Sequence, residues 1–527
     1  MSYGPLDARV DVYDTTLRDG TQGEGISLSA ADKLRIARQL DALGVAFVEA
    51  GWPGSNPKDA ELFARVRDEE WRTTIVAFGS TRRVGTHVED DEGLRVLIDA
   101  KTSVCTIFGK SSGLHVVDVL RTTKDENLRM IEESVAFLVA QGRRVVYDAE
   151  HFFDGFAADE SYARETLAAA VRGGAEIVVL CDTNGGTVPW RIEEVVRTVR
   201  PSMNVRFGIH AHDDIGCGAA NTLAAIRAGA THMQGTINGH GERCGNANLC
   251  TVIPTLELKM ATRCLPDGAL RKLAQTSRFV SEVSNVTPDE RAPYVGRSAF
   301  AHKGGVHVAA MRRNAASYSH VDPALLGNET RILVSELSGK GAMLAKAEEL
   351  GLAHGADAVD AGEILQRIKS DEAAGFSFES ADASVALLFR RRSQGYSPPF
   401  RLVEYKVMVG RAHAGGTFSE ATVKIEIGAE VVHTAAEGVG PVNALDAALR
   451  KALIPHFSKV SAVHLEDYKV RILEGALGTA ATTRVLIDCG DGVRRWSTVG
   501  AGSNIIDASW QALADSIEYG LMVTEAA

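Results

Sequence analysis

Two histidines one residue apart, His210 and His212, end the apolar run Phe207-Gly-Ile-His-Ala-His-Asp-Asp214. Strand side chains alternate faces, so on a strand both imidazoles point to one side and suit a single divalent metal ion. The spacing alone is a weak signal, because surface and core histidines also adopt it. Its weight comes from the other donors in the chain. Asp14-Thr-Thr-Leu-Arg-Asp-Gly-Thr-Gln22 holds the carboxylate of Asp19, and Asn238-Gly-His-Gly-Glu-Arg-Cys-Gly-Asn246 holds the amide of Asn246. An ion with Asp19, His210 and His212 as ligands and Asn246 close by keeps open positions, where an α-keto acid could chelate through its keto and carboxylate oxygens. Arg18, beside Asp19, is placed to stabilise an enolate or alkoxide oxygen; the competing reading is a salt bridge to Asp19. Thr183 suits a hydrogen bond to a substrate carboxylate, and Gln22 and Tyr147, from the same class of tract, are further substrate-binding candidates. A Schiff-base route would need an inward lysine on a strand end, and none of these strand ends has one.

Such a set of donors must be gathered by rigid elements. Apolar runs fall at Val10–Tyr13, Ala46–Glu49, Thr74–Phe78, Val104–Phe108, Val145–Tyr147, Ile177–Cys181, Val205–Ile209 and Met233–Ile237, with helical segments between them. Ser29-Ala-Ala-Asp32 reads as a capping box, followed by Leu34, Ala37, Leu40 and Leu43 at helical spacing and Gly44 as a stop. Thr123-Lys-Asp-Glu126 reads the same way before Leu128, Ile131, Val135 and Leu138. Strand–helix units repeated in this number and length predict a TIM (β/α)8 barrel over residues 1–264, whose site lies at the C-terminal strand ends. The strand-end tracts Asp14–Gln22, Glu49–Pro53, Tyr147–Glu150, Asp182–Gly186 and Asn238–Asn246 carry the polar residues, as that fold requires. An open doubly wound sheet is the alternative, but it calls for a Gly-rich phosphate turn after an early strand, and none is there.

Residues 265–400 read as a mainly helical linker region containing Phe300-Ala-His-Lys-Gly-Gly-Val-His307 and Tyr318. Ser338-Gly-Lys-Gly341 lacks the glycine at Walker spacing and reads as a turn before a helix near Ala342. The basic run Arg390–Arg392 and Pro398-Pro399 mark a boundary, with the arginines read as a solvated face. From there to residue 527 the pattern alternates: Val423, Ile425 and Ile427 share a face, and a helix follows from Pro441 to Leu453. The match of Gly438-x-Gly440…Asp446-Ala447 to Gly500-x-Gly502…Asp507-Ala508 indicates an internal duplication in an α+β domain over 401–527.

Composition bounds the function. The chain has 527 residues, 45% apolar and 24% charged, which suits a large domain with one or two smaller ones. A net charge of -11 argues against general nucleic-acid binding. Seven cysteines without a Cys-x-x-Cys pair suit a reducing compartment, and the absence of a signal pattern or a long apolar stretch predicts a cytoplasmic protein off the membrane.

The tracts Asp14–Gln22, His210-Ala-His-Asp-Asp214 and Asn238–Asn246 together resemble the 2-isopropylmalate synthase and homocitrate synthase family, within the metal-dependent TIM-barrel acyltransferases and lyases. The resemblance runs through Phe300–His307 and Tyr318 into the C-terminal domain, where Gly438-Val-Gly-Pro-Val442 is similar to the family's amino-acid-sensing regulatory domain. Phe108–His115, Arg121–Leu128 and Tyr147–Gly155 look like the branch whose keto acid is pyruvate. The resemblance implies a Claisen-type condensation of acetyl-CoA with pyruvate and hydrolysis to a hydroxy diacid and CoA. It implies a divalent ion (Mn2+, Mg2+ or Zn2+), a homodimer, and inhibition by isoleucine, whose synthesis the reaction would feed. By the same resemblance His307 is the candidate base, alone or in relay with Tyr318, and Glu150 a catalytic carboxylate of the acetyl pocket. His307 as an ordinary satisfied histidine, and Glu150 as a structural partner of a cation, remain alternatives. So do a longer keto acid, an acyl-CoA lyase of the same fold, and a non-catalytic amino-acid sensor.

Overall fold

The computed structural model describes residues 9–303, 305–336, 338–350, 360–411, 415–473 and 475–525. The first eight residues, read above for a signal pattern, and Gly304 of the linker tract lie outside them. Contacts divide the chain into two compact units, Met1–Phe300 with Val321–Glu329, and Ala301–His320 with Thr330–Ala527.

The first unit is a closed parallel barrel of eight strands. They are β1 (Asp11–Asp14), β2 (Phe47–Gly51), β3 (Thr74–Ser80), β4 (Val104–Lys110), β5 (Arg144–Glu150), β6 (Ile177–Asp182), β7 (Arg206–Ala211) and β8 (His232–Gly235). Each pairs with its neighbour in sequence, and β8 returns to β1 through Asp11↔His232 and Asp14↔Gly235. Alternation sorts the side chains. Tyr13, Phe47, Val76, Val104, Val146, Ile177, Val179 and Cys181 fill the barrel, while the opposite faces join a larger core with the surrounding helices.

Helix boundaries follow their signals. Helix Ala30–Leu43 carries the full reciprocal cap at Ser29 and Asp32 and stops at Gly44, whose φ of 87 suits only glycine without strain. Helix Lys124–Ala140 has half of one: Thr123 Oγ1 accepts from Glu126 N at 3.2 Å, but the Glu126 carboxylate goes to Arg82 at 2.8 Å. A charged partner outcompetes the local backbone donor. The barrel unit also runs past residue 264 to Phe300, because Leu273, Ala274 and Val280 of helix Leu273–Val283 pack into the outer core.

In the second unit, β9 (Ala301–His302) pairs in parallel with β10 (Arg331–Ile332). Helices Lys340–Glu349, Ala361–Ala373 and Asp382–Arg390 share one core. Ser338 accepts from Ser335 N at 2.9 Å, a turn ahead of the helix at Lys340. Two three-stranded antiparallel sheets follow, β11 (Arg401–Arg411), β12 (Thr417–Ile427), β13 (Glu430–Gly438) and β14 (His464–Ile472), β15 (Thr483–Gly490), β16 (Arg495–Gly502), each followed by a helix, Pro441–Leu453 and Ile505–Glu525. That repeat is the duplication read from the sequence. Arg391 is not merely a solvated cation: it pairs with Asp515 at 2.6 Å and Glu518 at 2.7 Å of the last helix. Among the described residues, no helix is long and apolar enough to cross a membrane.

Candidate active site

The barrel's C-terminal rim gathers the donors. After β1, the buried Asp14 carboxylate accepts from Thr16 N at 2.9 Å and Thr16 Oγ1 at 3.0 Å, folding the chain into a turn that carries Asp19 inward. Ligand atoms of Asp19, His210 and His212 lie within 4.8 Å of one another, and all three residues are buried. Asp19 Oδ2 stands 3.3 Å from His210 Nε2 and 3.9 Å from His212 Nε2. Behind His210, Nδ1 meets Gln234 Oε1 at 2.8 Å, and Gln234 Nε2 donates to Asp148 Oδ1 at 2.9 Å. With its proton on Nδ1, His210 turns the Nε2 lone pair toward Asp19, the arrangement in which an outer partner fixes a ligand's tautomer.

Whether a cation fits is answered by two orphaned oxygens. Asp19 Oδ1 and Asn246 Oδ1 are buried without a hydrogen-bond partner, a costly state for strong acceptors. Asn246 Nδ2 donates to the His240 carbonyl at 3.1 Å, which fixes the amide with Oδ1 free, and Asn246 bridges to His212 through the backbone. Two imidazoles, a carboxylate and an amide oxygen form the mixed donor set that a divalent ion accepts. Burial works against the charge on Asp19, yet Arg18, His210 and His212 hold its carboxyl well below the usual range. Burial, His210 and Arg243 push His212 down to about 4, so its ring stays neutral and available to bind. The glycines of the β8 loop allow this packing: a Cβ on Gly245, at φ 93, would stand 1.9 Å from the Gly239 carbonyl oxygen.

Arg18 makes the salt bridge to Asp19 and is held by two further partners. Its Nη1 lies 3.3 Å from Asp19 Oδ2, its Nε donates to Glu49 Oε1, and its guanidinium lies over the Phe78 ring at 3.8 Å. Glu49 is fully buried and also accepts from Tyr13 OH and, at 2.6 Å, from Thr15 Oγ1. Glu49, Gln234 and Asp148 were not singled out from the sequence. Their signal was there: Glu49 alternates with Phe47, and Asp148 with Val146, so each is a carboxylate on a strand's inner face. Burial and Glu49 raise the Asp148 carboxyl to about 7. The wall of Trp52, Phe78 and Phe108 also went unread; Phe78 and Phe108 stack at 5.6 Å, and Trp52 meets both edge-on.

The remaining candidates divide. Glu150 pairs with Lys110 at the ends of β5 and β4, on the inward parity of Val146. Thr183 Oγ1 accepts from His151 N at 2.8 Å, leaving its own proton to donate. Gln22 ends a short 3-10 turn and is exposed. Tyr147 is a correction: it alternates out of phase with Val146 and Asp148, is fully buried, and packs with the outer core on the face away from the barrel interior. His307 and Tyr318 belong to the second unit, where their rings stack at 4.2 Å.

Comparison with known proteins accords with this geometry. Residues 9–280 match the HMGL-like family, 294–374 the homocitrate synthase post-HMGL domain-like family, and 379–521 the LeuA allosteric (dimerisation) domain. The chain is similar to the (R)-citramalate synthase of Geobacter sulfurreducens, 50% identical with 98% of each chain covered. It is similar to that of Synechocystis sp., also 50% identical, over 97% of this chain and 96% of the relative. The 2-isopropylmalate synthase of Methanocaldococcus jannaschii is 30% identical over 97% of this chain and 94% of the relative.

Proposed function

We propose a mechanism for a chain that belongs to the HMGL-like family and, within it, to the (R)-citramalate synthases: an acyltransferase that condenses acetyl-CoA with pyruvate and hydrolyses the product to citramalate and CoA. The observation that carries it is the buried cluster of Asp19, His210 and His212, with Arg18 against Asp19 and with Asp19 Oδ1 and Asn246 Oδ1 unsatisfied. Asp19, His210, His212 and Asn246 would hold the divalent ion, Mn2+, Mg2+ or Zn2+, which when bound polarises the keto carbonyl as a Lewis acid. Arg18, clamped by Glu49 and the Phe78 face, keeps its charge where the alkoxide oxygen develops. Thr183 donates its hydroxyl to the pyruvate carboxylate, with Gln22 at the mouth. The aromatic wall of Trp52, Phe78 and Phe108, beside Arg18, is the candidate surface that would admit the pyruvate methyl and exclude a longer chain. Glu150, anchored by Lys110, lines the acetyl side, and His307 with Tyr318 takes the methyl proton; both roles rest on the family resemblance.

Residues 379–521 match a dimerisation domain, and we propose a homodimer formed through it, with isoleucine as the inhibitor. The test is thiol release from acetyl-CoA with pyruvate, 2-oxoisovalerate or 2-oxoglutarate, each with and without isoleucine. Pyruvate should exceed the others by at least tenfold in kcat/KM. Preference for 2-oxoisovalerate would overturn the substrate, and an unchanged rate with isoleucine the inhibitor.

A further inference from the structure

A second cluster of titratable side chains stands on the rim outside the metal centre. At the ends of β4 and β5, the His115 and His151 rings stack with centroids 3.7 Å apart and planes 15° from parallel. His151 directly follows Glu150 and holds a left-handed backbone, φ 57, which a non-glycine residue keeps only when its surroundings over-determine it. They do. His151 N donates to Thr183 Oγ1 at 2.8 Å, and Ser111 N donates to the Glu150 carbonyl at 3.0 Å. Gly155 packs so tightly on Ser111 that a Cβ there would lie 2.2 Å from the Ser111 carbonyl oxygen.

The polar atoms of the cluster set a carboxylate beside the His151 imidazole. Asp154 Oδ2 lies 3.6 Å from His151 Nδ1, longer than a hydrogen bond and short enough to close when the ring gains charge. Asp154 is itself fixed by Asn184 Nδ2 at 2.7 Å. The Nδ1 atoms of His151 and His115 are both buried with no hydrogen-bond partner, and the His151 side chain is only 11% exposed. Burial and the neighbouring His151 lower the His115 proton affinity, so the covering ring stays neutral. The unpartnered His151 Nδ1 thus stands beside a carboxylate it can bond once the ring takes up a proton.

The reaction has two halves, and the residues assigned so far serve the first. Condensation leaves a branched acyl-CoA thioester, whose hydrolysis needs a base for water and an acid for the departing sulfur. We propose that His151 is the general base and acid of this hydrolytic half, with Asp154 orienting its ring and His115 covering it. The assignment rests on the reading of the reaction given above. His151 Nε2 takes a proton from water as the water oxygen adds to the thioester carbonyl carbon. The tetrahedral adduct collapses with cleavage of the carbon–sulfur bond, and the imidazolium returns its proton to the CoA thiolate. Water is thereby divided between acid and thiol, with no change of oxidation state.

Rapid-quench turnover of labelled acetyl-CoA with pyruvate on the full chain tests it. His151→Asn, chosen because asparagine tolerates the left-handed backbone, should consume acetyl-CoA in the first turnover at the parent rate. It should accumulate the branched acyl-CoA and release free CoA about 100-fold more slowly. Asp154→Asn should accumulate the same species with a smaller loss, and carries the test if His151→Asn fails to fold. Release of CoA in step with acetyl-CoA loss, with no acyl-CoA in the quench from either variant, overturns the assignment at any overall rate. A parent enzyme that leaves acetyl-CoA untouched in the presence of pyruvate would instead bring down the underlying reaction, and this role with it.

Discussion

At the residue scale, the site works because each charged group is held by another. Glu49 spends its oxygens on Tyr13, Thr15 and Arg18, and Arg18 has a carboxylate on either side of its guanidinium. Glu49→Gln removes the charge that aims Arg18 while keeping the shape. It should lower kcat by about 10- to 100-fold, the usual cost of losing an outer partner, with metal affinity unchanged in a direct ion titration. An equal loss of metal affinity would mean that Glu49 acts on Asp19 instead. The cluster of Asp19, His210 and His212 beside Arg18 was legible in the sequence because these residue types admit few structural uses in that combination. Glu49 and Asp148 were passed over, and Tyr147 was misplaced, for one reason: barrel strands are apolar on both faces. Alternation then gives no hint of which side is inward until one residue is anchored.

At the element scale, the strands bury an unpartnered imidazole at the barrel floor. The His232 ring is wedged between Tyr13 and Phe47, and neither nitrogen has a hydrogen-bond partner. Burial, helped by Arg206, lowers its proton affinity from the ordinary 6.5 to about 3. The unfolded chain therefore binds a proton that the folded barrel refuses. Stability is full above about pH 6.5 and falls as pH drops toward 3, by about 2 kcal/mol between pH 7 and pH 5. His232→Leu should flatten that acid slope in denaturant melts; an unchanged slope would place the acid sensitivity elsewhere. The second unit has its own staple, Arg391 against Asp515 and Glu518, with Tyr396 OH on Glu518 at 2.8 Å. Arg391→Ala strands two acids that burial shields from water. It should cost the second unit about 2 kcal/mol, discounted from a fully buried pair because Arg391 is part-exposed. Calorimetry should show the loss in that unit's transition only. Sequence spacing could mark the arginine run as a boundary, but a partner more than a hundred positions away leaves no local trace.

At the scale of the whole molecule, the barrel was legible from the recurrence of strand and helix, and the C-terminal repeat from its glycines. The unit boundary was not, since the apolar face of helix Leu273–Val283 says only that it packs, not on what. The central claim is that one ion, held by Asp19, His210 and His212, makes this chain an acyltransferase. It is met most directly by titrating a divalent ion into chelator-treated protein while following pyruvate-dependent CoA release. The account predicts no release without the ion and full recovery at one ion per chain. Undiminished release from the ion-free protein would contradict it.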